Sequence, residues 1–172
     1  MSSRQSIRLG PAQETMLIPL FARAVETRRK HPIVKDPKAA EIVESIDWDF
    51  QRFNQRRRVV ACALRGVMFD EWIPEFLGRH PAGTVVEIGA GLNTRFERLD
   101  NGSLHWFDLD LPDVVELRRK FFRDSGRRMT LSGSVLDPGW MTVVRQSPGL
   151  FFWWRKRCSF TCRSRMSKRR WL

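Results

Sequence analysis

The chain has few of the residues that build several common kinds of site. Its 172 residues include three cysteines and three histidines. No histidine follows His105, so Cys158 and Cys162 make a poor metal site, and we expect no metal. An odd number of cysteines gives no paired disulfide framework, which indicates a reducing compartment such as the cytoplasm. No apolar run is long enough to span a membrane, and residues 1–10 lack the apolar stretch of a secretory signal.

Acidic residues are missing from the end of the sequence. The formal net charge is +12, but residues 151–172 contain 8 Lys and Arg and no Asp or Glu. Without those 8, the 31 Lys and Arg of the chain fall to 23 against 19 Asp and Glu, a net charge of +4 for residues 1–150. The first 150 residues are therefore an ordinary, mildly basic globular sequence. A basic nucleic-acid-binding protein stays open as an alternative, with its affinity in the tail.

The main pattern in the chain is a short buried strand followed by glycines. Thr84–Ile88 is apolar and β-branched, as suits a buried parallel strand, and Gly89-Ala90-Gly91 follows at once. A second apolar run, Leu104–Leu109, ends at Asp110, 19 residues after Gly91. An acid at about 20 residues from a glycine turn is placed to accept hydrogen bonds from ribose hydroxyls. This spacing favours a nucleoside site over the plain turn of an ordinary α/β protein.

The third glycine of the dinucleotide fingerprint is absent, because Thr94 stands in its place. No run that would cradle a diphosphate is present. The sequence therefore favours a nucleoside without a pyrophosphate, of which S-adenosylmethionine is the common example. Glu87, in the order Glu-x-Gly-x-Gly at the end of the first strand, favours the same ligand. A nicotinamide-dependent oxidoreductase is the alternative enzyme class.

Helical periodicity dominates the residues before this strand. The apolar side chains of Gln13–Arg29 share one face, and Arg23 and Glu26 lie mostly off it. Asp36-Pro37 predicts the N-cap and first position of a second helix, which runs toward Ile46.

A third helical stretch over Asn54–Leu77 is predicted to break near Gly66 and at Pro74. After Asp110, a helix from Pro112 to Gly126 carries basic residues on its later turns, where cations complement the helix dipole. A third strand and a last helix complete the prediction, over Met129–Leu131 and Gly139–Gln146. The expected division is a helical cap over 1–80, the first half of a sheet domain over 81–150, and a basic tail over 151–172.

Three stretches carry a family resemblance: LFARAVE at Leu20–Glu26, VVEIGAGLNTR at Val85–Arg95, and DLDLPDVVELR at Asp108–Arg118. The last two are much more specific than Gly-x-Gly alone. On these residues the sequence resembles the leucine carboxyl methyltransferase family, in particular its bacterial branch of polyketide-biosynthesis O-methyltransferases. The resemblance covers roughly residues 12–147. It implies an α/β, class I S-adenosylmethionine-dependent methyltransferase fold with a Rossmann-like sheet and an N-terminal helical cap.

The resemblance also implies contacts with the cofactor. Gly89 and Gly91 would line its methionine end, and Asp110 would hold the adenosine ribose. Arg65 would pair with the cofactor carboxylate through a bidentate fork. Glu87 completes this part of the expected cofactor site.

Ser134 and Val135 would contact adenine, with Ser134 standing where the family usually has Asp. Arg23 would reach the carboxylate of a small-molecule substrate, or the cofactor. No catalytic residue is named, because methylation of a carboxylate needs positioning more than acid–base chemistry. A phenolic acceptor would need a base, which the sequence does not identify.

The tail departs from the family, which continues with a strand of the pattern VAEGVLxYLP where this chain has FFWWRKRC. In a shifted reading frame, the third base of each codon is read with the first two bases of the next codon. Read in this way, Phe152-Trp153 gives Leu, Trp153-Trp154 gives Val, and Trp154-Arg155 gives Ala or Glu. The following codons permit Glu, Ala, Val, Leu, Phe, Tyr, Leu and Pro in order, which follows the pattern with Ala at its Gly. We therefore interpret the residues after about Leu150 as a frameshifted, truncating translation. The alternative is a native basic tail that binds nucleic acid or anionic lipid.

The loss of the family pattern leaves three predicted strands, with a fourth that is at best partial. A parallel sheet needs both faces covered and its strands paired. We therefore expect the chain to be marginally folded and catalytically silent.

Overall fold

The computed structural model describes residues 5–6, 10 and 14–155, with the backbone alone described for 5–6 and 153–155. Before the main sheet lie β1 (Gln5–Ser6), α1 (Leu17–Thr27), α2 (Pro37–Ser45), β2 (Ile46–Asp47), a 3-10 helix (Phe50–Phe53), α3 (Arg56–Asp70) and α4 (Trp72–Arg79). The main sheet and its helices follow as β3 (Thr84–Ile88), α5 (Arg95–Leu99), β4 (His105–Asp110), α6 (Pro112–Arg118), β5 (Arg128–Ser132), α7 (Gly139–Val144) and β6 (Phe151–Arg155). None of the described helices combines the length and the apolar character needed to cross a bilayer.

Helix α1 is buried on more than the apolar face that its periodicity predicts. Leu17 and Leu20 are inaccessible to solvent, as expected, but so is Glu26, and Arg23 is nearly so. Placing Arg23 and Glu26 mostly off the buried face was wrong, because α1 packs against α2 and α3. Buried charge requires partners, and Glu26 has them in Arg29 and the backbone N–H of Ile33.

The expected start of α2 is confirmed, but the expected breaks in the next helical stretch are partly wrong. The Asp36 side chain accepts a hydrogen bond from Ala39 N at 2.9 Å, and Pro37 occupies the first helical position. Gly66 lies inside α3, and the chain breaks at Glu71 instead. Pro74 sits in the first turn of α4, where N–H groups have no partner within the helix, so proline is tolerated there.

The main sheet is parallel throughout and has the strand order β5-β4-β3-β6. Successive residues of a strand face opposite sides. Val85 therefore packs with Ile73 and Leu77 of α4, and Val86 with Trp140 and Val144 of α7. This confirms the predicted α/β, Rossmann-like class. Because β4 and β6 flank β3 on opposite sides, the strand order reverses at β3, and open parallel sheets bind ligands in a crevice at the carboxyl ends of such strands.

The fourth strand, β6, pairs with β3 along the whole length of β3. This corrects the expectation that the fourth strand is at best partial. Residues Phe151 to Arg155 of β6 pair one for one with Thr84 to Ile88 of β3. Two further contacts fix its start: Thr84 N–H donates to Leu150 O at 2.9 Å, and Phe152 lies 5.4 Å from Phe76, centroid to centroid. Aromatic residues favour strands, so FFWWR can take this place without the family pattern. The rest of the predicted tail, 156–172, lies outside the described residues.

After β4 the chain differs from the prediction mainly in length. The helix expected from Pro112 to Gly126 ends as α6 at Arg118, and Lys120, Phe121 and Phe122 continue in turns. The expected third strand and last helix are present as β5 and α7.

Candidate functional site

The glycine turn lies at the carboxyl end of β3. Gly89 and Gly91 have φ values of +73° and +53°, a region that costs residues with a Cβ more than it costs glycine. A Cβ placed on Gly89 would meet nothing within 4 Å, and one on Gly91 would lie 3.4 Å from Met16 Cβ. The backbone conformation, rather than a lack of space, therefore requires glycine here.

Asp110 closes the turn from the neighbouring strand. Its Oδ2 accepts a hydrogen bond from Gly91 N at 2.7 Å, and its Oδ1 accepts one from Leu111 N at 2.8 Å. The Asp110 carbonyl accepts from Gly133 N at 2.9 Å. The turn after β3, the acid that ends β4 and the loop after β5 thus meet at the carboxyl ends of these strands, as the sequence spacing predicts.

Ser134 and Val135 occupy the loop that Gly133 joins to Asp110. Both are half-buried. Ser134 Oγ accepts from Leu136 N at 3.2 Å, and Val135 packs against the cluster around Trp140. Their contact with adenine stays a prediction.

Glu87 is fully buried beneath the turn. Its Oε1 accepts hydrogen bonds from Asn93 Nδ2 and Arg95 Nη1, both at 2.5 Å. Arg95 Nε also bonds Asp70 Oδ1 at 2.5 Å, which connects the end of α3 to the turn. Glu87 therefore supports the loop from inside, and its predicted contact with the cofactor stays a prediction.

Arg23 connects the helical cap to the same loop. Its Nε donates to Asp36 Oδ2 at 2.7 Å and its Nη2 to Leu92 O at 3.1 Å. Asp36 is fully buried and also accepts from the Thr94 hydroxyl. Burial lowers the pKa of the Arg23 guanidinium, although the Asp36 charge opposes the shift. Its predicted role toward the substrate stays a prediction.

Arg65 is exposed, whereas Arg23 and Arg95 are buried. It lies on α3 and has no ion pair with any residue that the structure describes. A guanidinium in this state is available to a carboxylate ligand.

A buried charge network behind the turn was not predicted from the sequence. Arg118, which is one of the basic residues predicted on the later turns of the helix after Pro112, is inaccessible to solvent. Its Nη2 donates to Asp108 Oδ2 at 2.7 Å, and Arg128 donates to the same oxygen through Nε and Nη2. Burial alone would raise the Asp108 pKa, but the charges of Arg118 and Arg128, with hydrogen bonds from Trp106 and Arg118, hold it below its usual value. The specific DLDLPDVVELR stretch was the signal, because it contains both Asp108 and Arg118.

Comparisons with known proteins agree with this architecture. A family model described as leucine carboxyl methyltransferase matches residues 16–144. The tetracenomycin polyketide synthesis O-methyltransferase TcmP of Streptomyces glaucescens is 35% identical over 151 residues, 85% of this chain and 55% of the relative. The S-adenosyl-L-methionine-dependent methyltransferase dpfgK of Gibberella zeae is 29% identical, over 78% of this chain and 50% of the relative. A putative S-adenosyl-L-methionine-dependent methyltransferase of Mycobacterium marinum is 32% identical, over 61% and 39%. The chain thus spans about half the length of these relatives or less.

Proposed function

Because the chain belongs to the leucine carboxyl methyltransferase family, as the match over residues 16–144 establishes, we propose that it binds S-adenosylmethionine for O-methylation of a small-molecule acceptor. The observation that carries the proposal is the 2.7 Å hydrogen bond from Gly91 N–H to the Asp110 carboxylate. This bond joins the turn of β3 to the acid of β4 at the crevice where open parallel sheets bind nucleosides.

The adenosine half of the cofactor fits the residues at this crevice. Each Asp110 oxygen accepts one backbone N–H. A carboxylate oxygen has room for a second donor, so Asp110 can also bind the two ribose hydroxyls. The loop with Ser134 and Val135, held to Asp110 by Gly133, is adjacent and is assigned to adenine.

The methionine half is assigned to the turn and to α3. The open space at the Cβ position of Gly89 lets a ligand approach the backbone closely. Arg65 is exposed and can bind the amino-acid carboxylate in bidentate fashion. Glu87 as a cofactor contact and Arg23 as a substrate contact remain predictions, since each binds protein groups in the structure.

The reaction requires the protein mainly to position the two ligands. When bound, the cofactor supplies a methyl group on a sulfonium, which is already a good leaving group. An ionised carboxylate acceptor is already a nucleophile, so the residues of the crevice need only align the two ligands and exclude water. A hydroxyl acceptor would in addition need a base to take up its proton.

The acceptor is proposed to be apolar, with polyketide-like molecules as the first class to test. Leu64 and Met68 lie one turn apart on α3, and Trp72 begins α4 after the break at Glu71; they are 48%, 57% and 37% exposed. Arg65, the proposed carboxylate ligand, follows Leu64 in the same helix. Polyketide synthesis also appears in the name of the Streptomyces relative.

Isothermal titration calorimetry with S-adenosylhomocysteine and with NAD tests the cofactor assignment. We expect the full chain to bind S-adenosylhomocysteine more tightly than NAD. Asp110→Asn should weaken binding of S-adenosylhomocysteine at least tenfold, because a neutral amide accepts hydrogen bonds less strongly. Asp100→Asn is the matched control, since Asp100 pairs with Arg127 away from the crevice. Tighter binding of NAD, or equal effects of the two substitutions, would contradict the proposal.

A further inference from the structure

Three consecutive carbonyl groups of the loop after β3 accept hydrogen bonds from buried arginines. Arg118 Nη1 donates to Gly91 O at 2.6 Å and to Asn93 O at 3.0 Å. Arg23 donates to Leu92 O, the carbonyl between them. Arg118, the last residue of α6, therefore makes two of the three contacts.

The surroundings of Arg118 hold its guanidinium in one orientation. The side chain is inaccessible to solvent, Asp108 binds its Nη2, and the ring of Phe122 lies 4.2 Å from its guanidinium carbon. Asp108 is fixed in turn by Arg128 and by Trp106 Nε1. A buried guanidinium that is bound on several sides cannot easily change its position. Arg118 therefore restrains the loop, rather than the loop restraining Arg118.

The contact at Gly91 connects Arg118 with the proposed ribose ligand. Gly91 O is bound by Arg118, while Gly91 N–H is bound by Asp110. The C=O and N–H of one trans peptide point in opposite directions, so the Leu92 N–H points away from the guanidinium. Gly91 N–H belongs to the preceding Ala90–Gly91 peptide, so the bonds from Arg118 and to Asp110 hold the peptides on both sides of the Gly91 Cα. Losing the Arg118 contact would free the Gly91–Leu92 peptide to rotate about that Cα and would loosen the turn in which Gly91 N–H meets Asp110.

We propose that Arg118 is a positioning residue for cofactor binding, which fixes the Gly91 and Asn93 carbonyls and thereby the turn and Asp110. The inference rests on the proposed function, since the ligand at this turn is the proposed cofactor. Arg118 does not touch the ligand, and its effect passes through Gly91. The competing explanation is that Arg118 stabilises the fold only, as a buried partner of Asp108.

Arg128 separates these two explanations. It shares the Asp108 oxygen with Arg118 and is only 4% exposed. Its other partner is Glu97, and it makes no contact with the carbonyls of the loop in the described residues. Arg128→Met therefore removes a buried cation from Asp108 without releasing the turn, and Arg118→Met does both.

The test is titration calorimetry of the full chain with S-adenosylhomocysteine, accompanied by urea unfolding and by amide hydrogen exchange. We expect Arg118→Met to raise the Kd at least tenfold and Arg128→Met to leave it within about twofold, although both lower the unfolding midpoint. Arg118→Lys keeps the positive charge but has a single nitrogen for the three oxygens that Nη1 and Nη2 of Arg118 share, so its Kd should lie between these values. Exchange at residues 91–94 should be faster in Arg118→Lys than in Arg128→Met.

Each result has a distinct meaning. Equal weakening by Arg118→Met and Arg128→Met would overturn the inference and leave the proposed function standing. If Arg118→Met does not fold, Arg118→Lys decides, and a wild-type Kd with unchanged exchange at residues 91–94 would overturn the inference. A wild-type chain that binds NAD in preference to S-adenosylhomocysteine would overturn the proposed function and this inference with it.

Discussion

The carboxylate of Asp108 pairs with two buried guanidinium groups, those of Arg118 and Arg128. Its ionisation should therefore affect the free energy of unfolding in acid. Its pKa in the folded chain lies below its value in the unfolded chain. The stabilisation is therefore fully present above the unfolded pKa, about 4, and is lost as the pH falls toward the folded pKa. Urea unfolding between pH 7 and pH 2.5 should show the free energy of unfolding falling below about pH 4.

Asp108→Asn should remove much of that pH dependence. Breaking a buried ion pair by removing one partner costs about 3–5 kcal/mol, so the variant should also be less stable at neutral pH. Asp100→Asn is the comparison, because Asp100 pairs with the exposed Arg127 and should change neutral-pH stability much less. An acid limb that is unchanged in Asp108→Asn would show that other carboxylates control it.

The residues of the turn were predictable from sequence, whereas the residues that hold the turn were not. Gly89, Gly91 and Asp110 follow from a spacing that the strand–turn–strand geometry imposes. Arg118 was predicted only as one of the basic residues on the later turns of a helix, where cations complement the helix dipole. Which way such a residue faces depends on a tertiary partner, here Asp108, and no local pattern gives that direction.

At the scale of single elements, α3 gives a simple test of backbone conformational freedom. Gly66 lies in its interior, and a Cβ added there would meet nothing within 4 Å. Alanine costs less backbone entropy than glycine in a helix, so Gly66→Ala should raise the free energy of unfolding by about 0.4–1 kcal/mol.

Gly83, between α4 and β3, is the contrasting position. A Cβ there would lie 2.6 Å from Phe76 Cε1 and 2.9 Å from His80 O. Gly83→Ala should therefore destabilise the chain, because the carbonyl cannot move away as a side chain can. Urea unfolding of both variants checks the pair, and a lower midpoint for Gly66→Ala would contradict the assignment of one continuous helix over Arg56–Asp70.

Element type was generally predictable because periodicity records which face of an element is buried. The limits of elements were less so: the helix after Pro112 ends at Arg118 rather than near Gly126. Strand β6 was the main error. Its prediction relied on a family pattern, whereas pairing with β3 requires only an apolar, β-prone sequence at the right distance along the chain.

For the whole molecule, the α/β class I fold of the family is confirmed for the matched residues, and the division into 1–80, 81–150 and 151–172 remains a proposal. The completed β6 moves the last boundary that we propose to Arg155. The interpretation of the residues after about Leu150 as frameshifted stays a prediction, which the nucleotide sequence around that codon checks.

The net charge per residue is much higher in the tail than in residues 1–150, and this difference gives a test of the nucleic-acid alternative. We predict that any affinity for nucleic acid resides in residues 156–172, which contain 7 of the 8 Lys and Arg of the tail. Truncation after Arg155 keeps β6 and should abolish salt-dependent binding of a single-stranded oligonucleotide, measured by fluorescence anisotropy. Sequence-selective binding by the truncated chain would instead favour a nucleic-acid-binding function for the sheet domain.

The pairing of β6 with β3 affects which amino-acid changes the chain can tolerate during evolution. The bonds between the two strands join main-chain groups, which every residue except proline supplies in the same form. A strand at the edge of the sheet, such as β6, can therefore change most of its side chains and keep its pairing, while an interior strand such as β4, with buried residues on both faces, cannot. Sequence drift should therefore be tolerated more readily in β6 than in β3 or β4, whose side chains are buried on both faces.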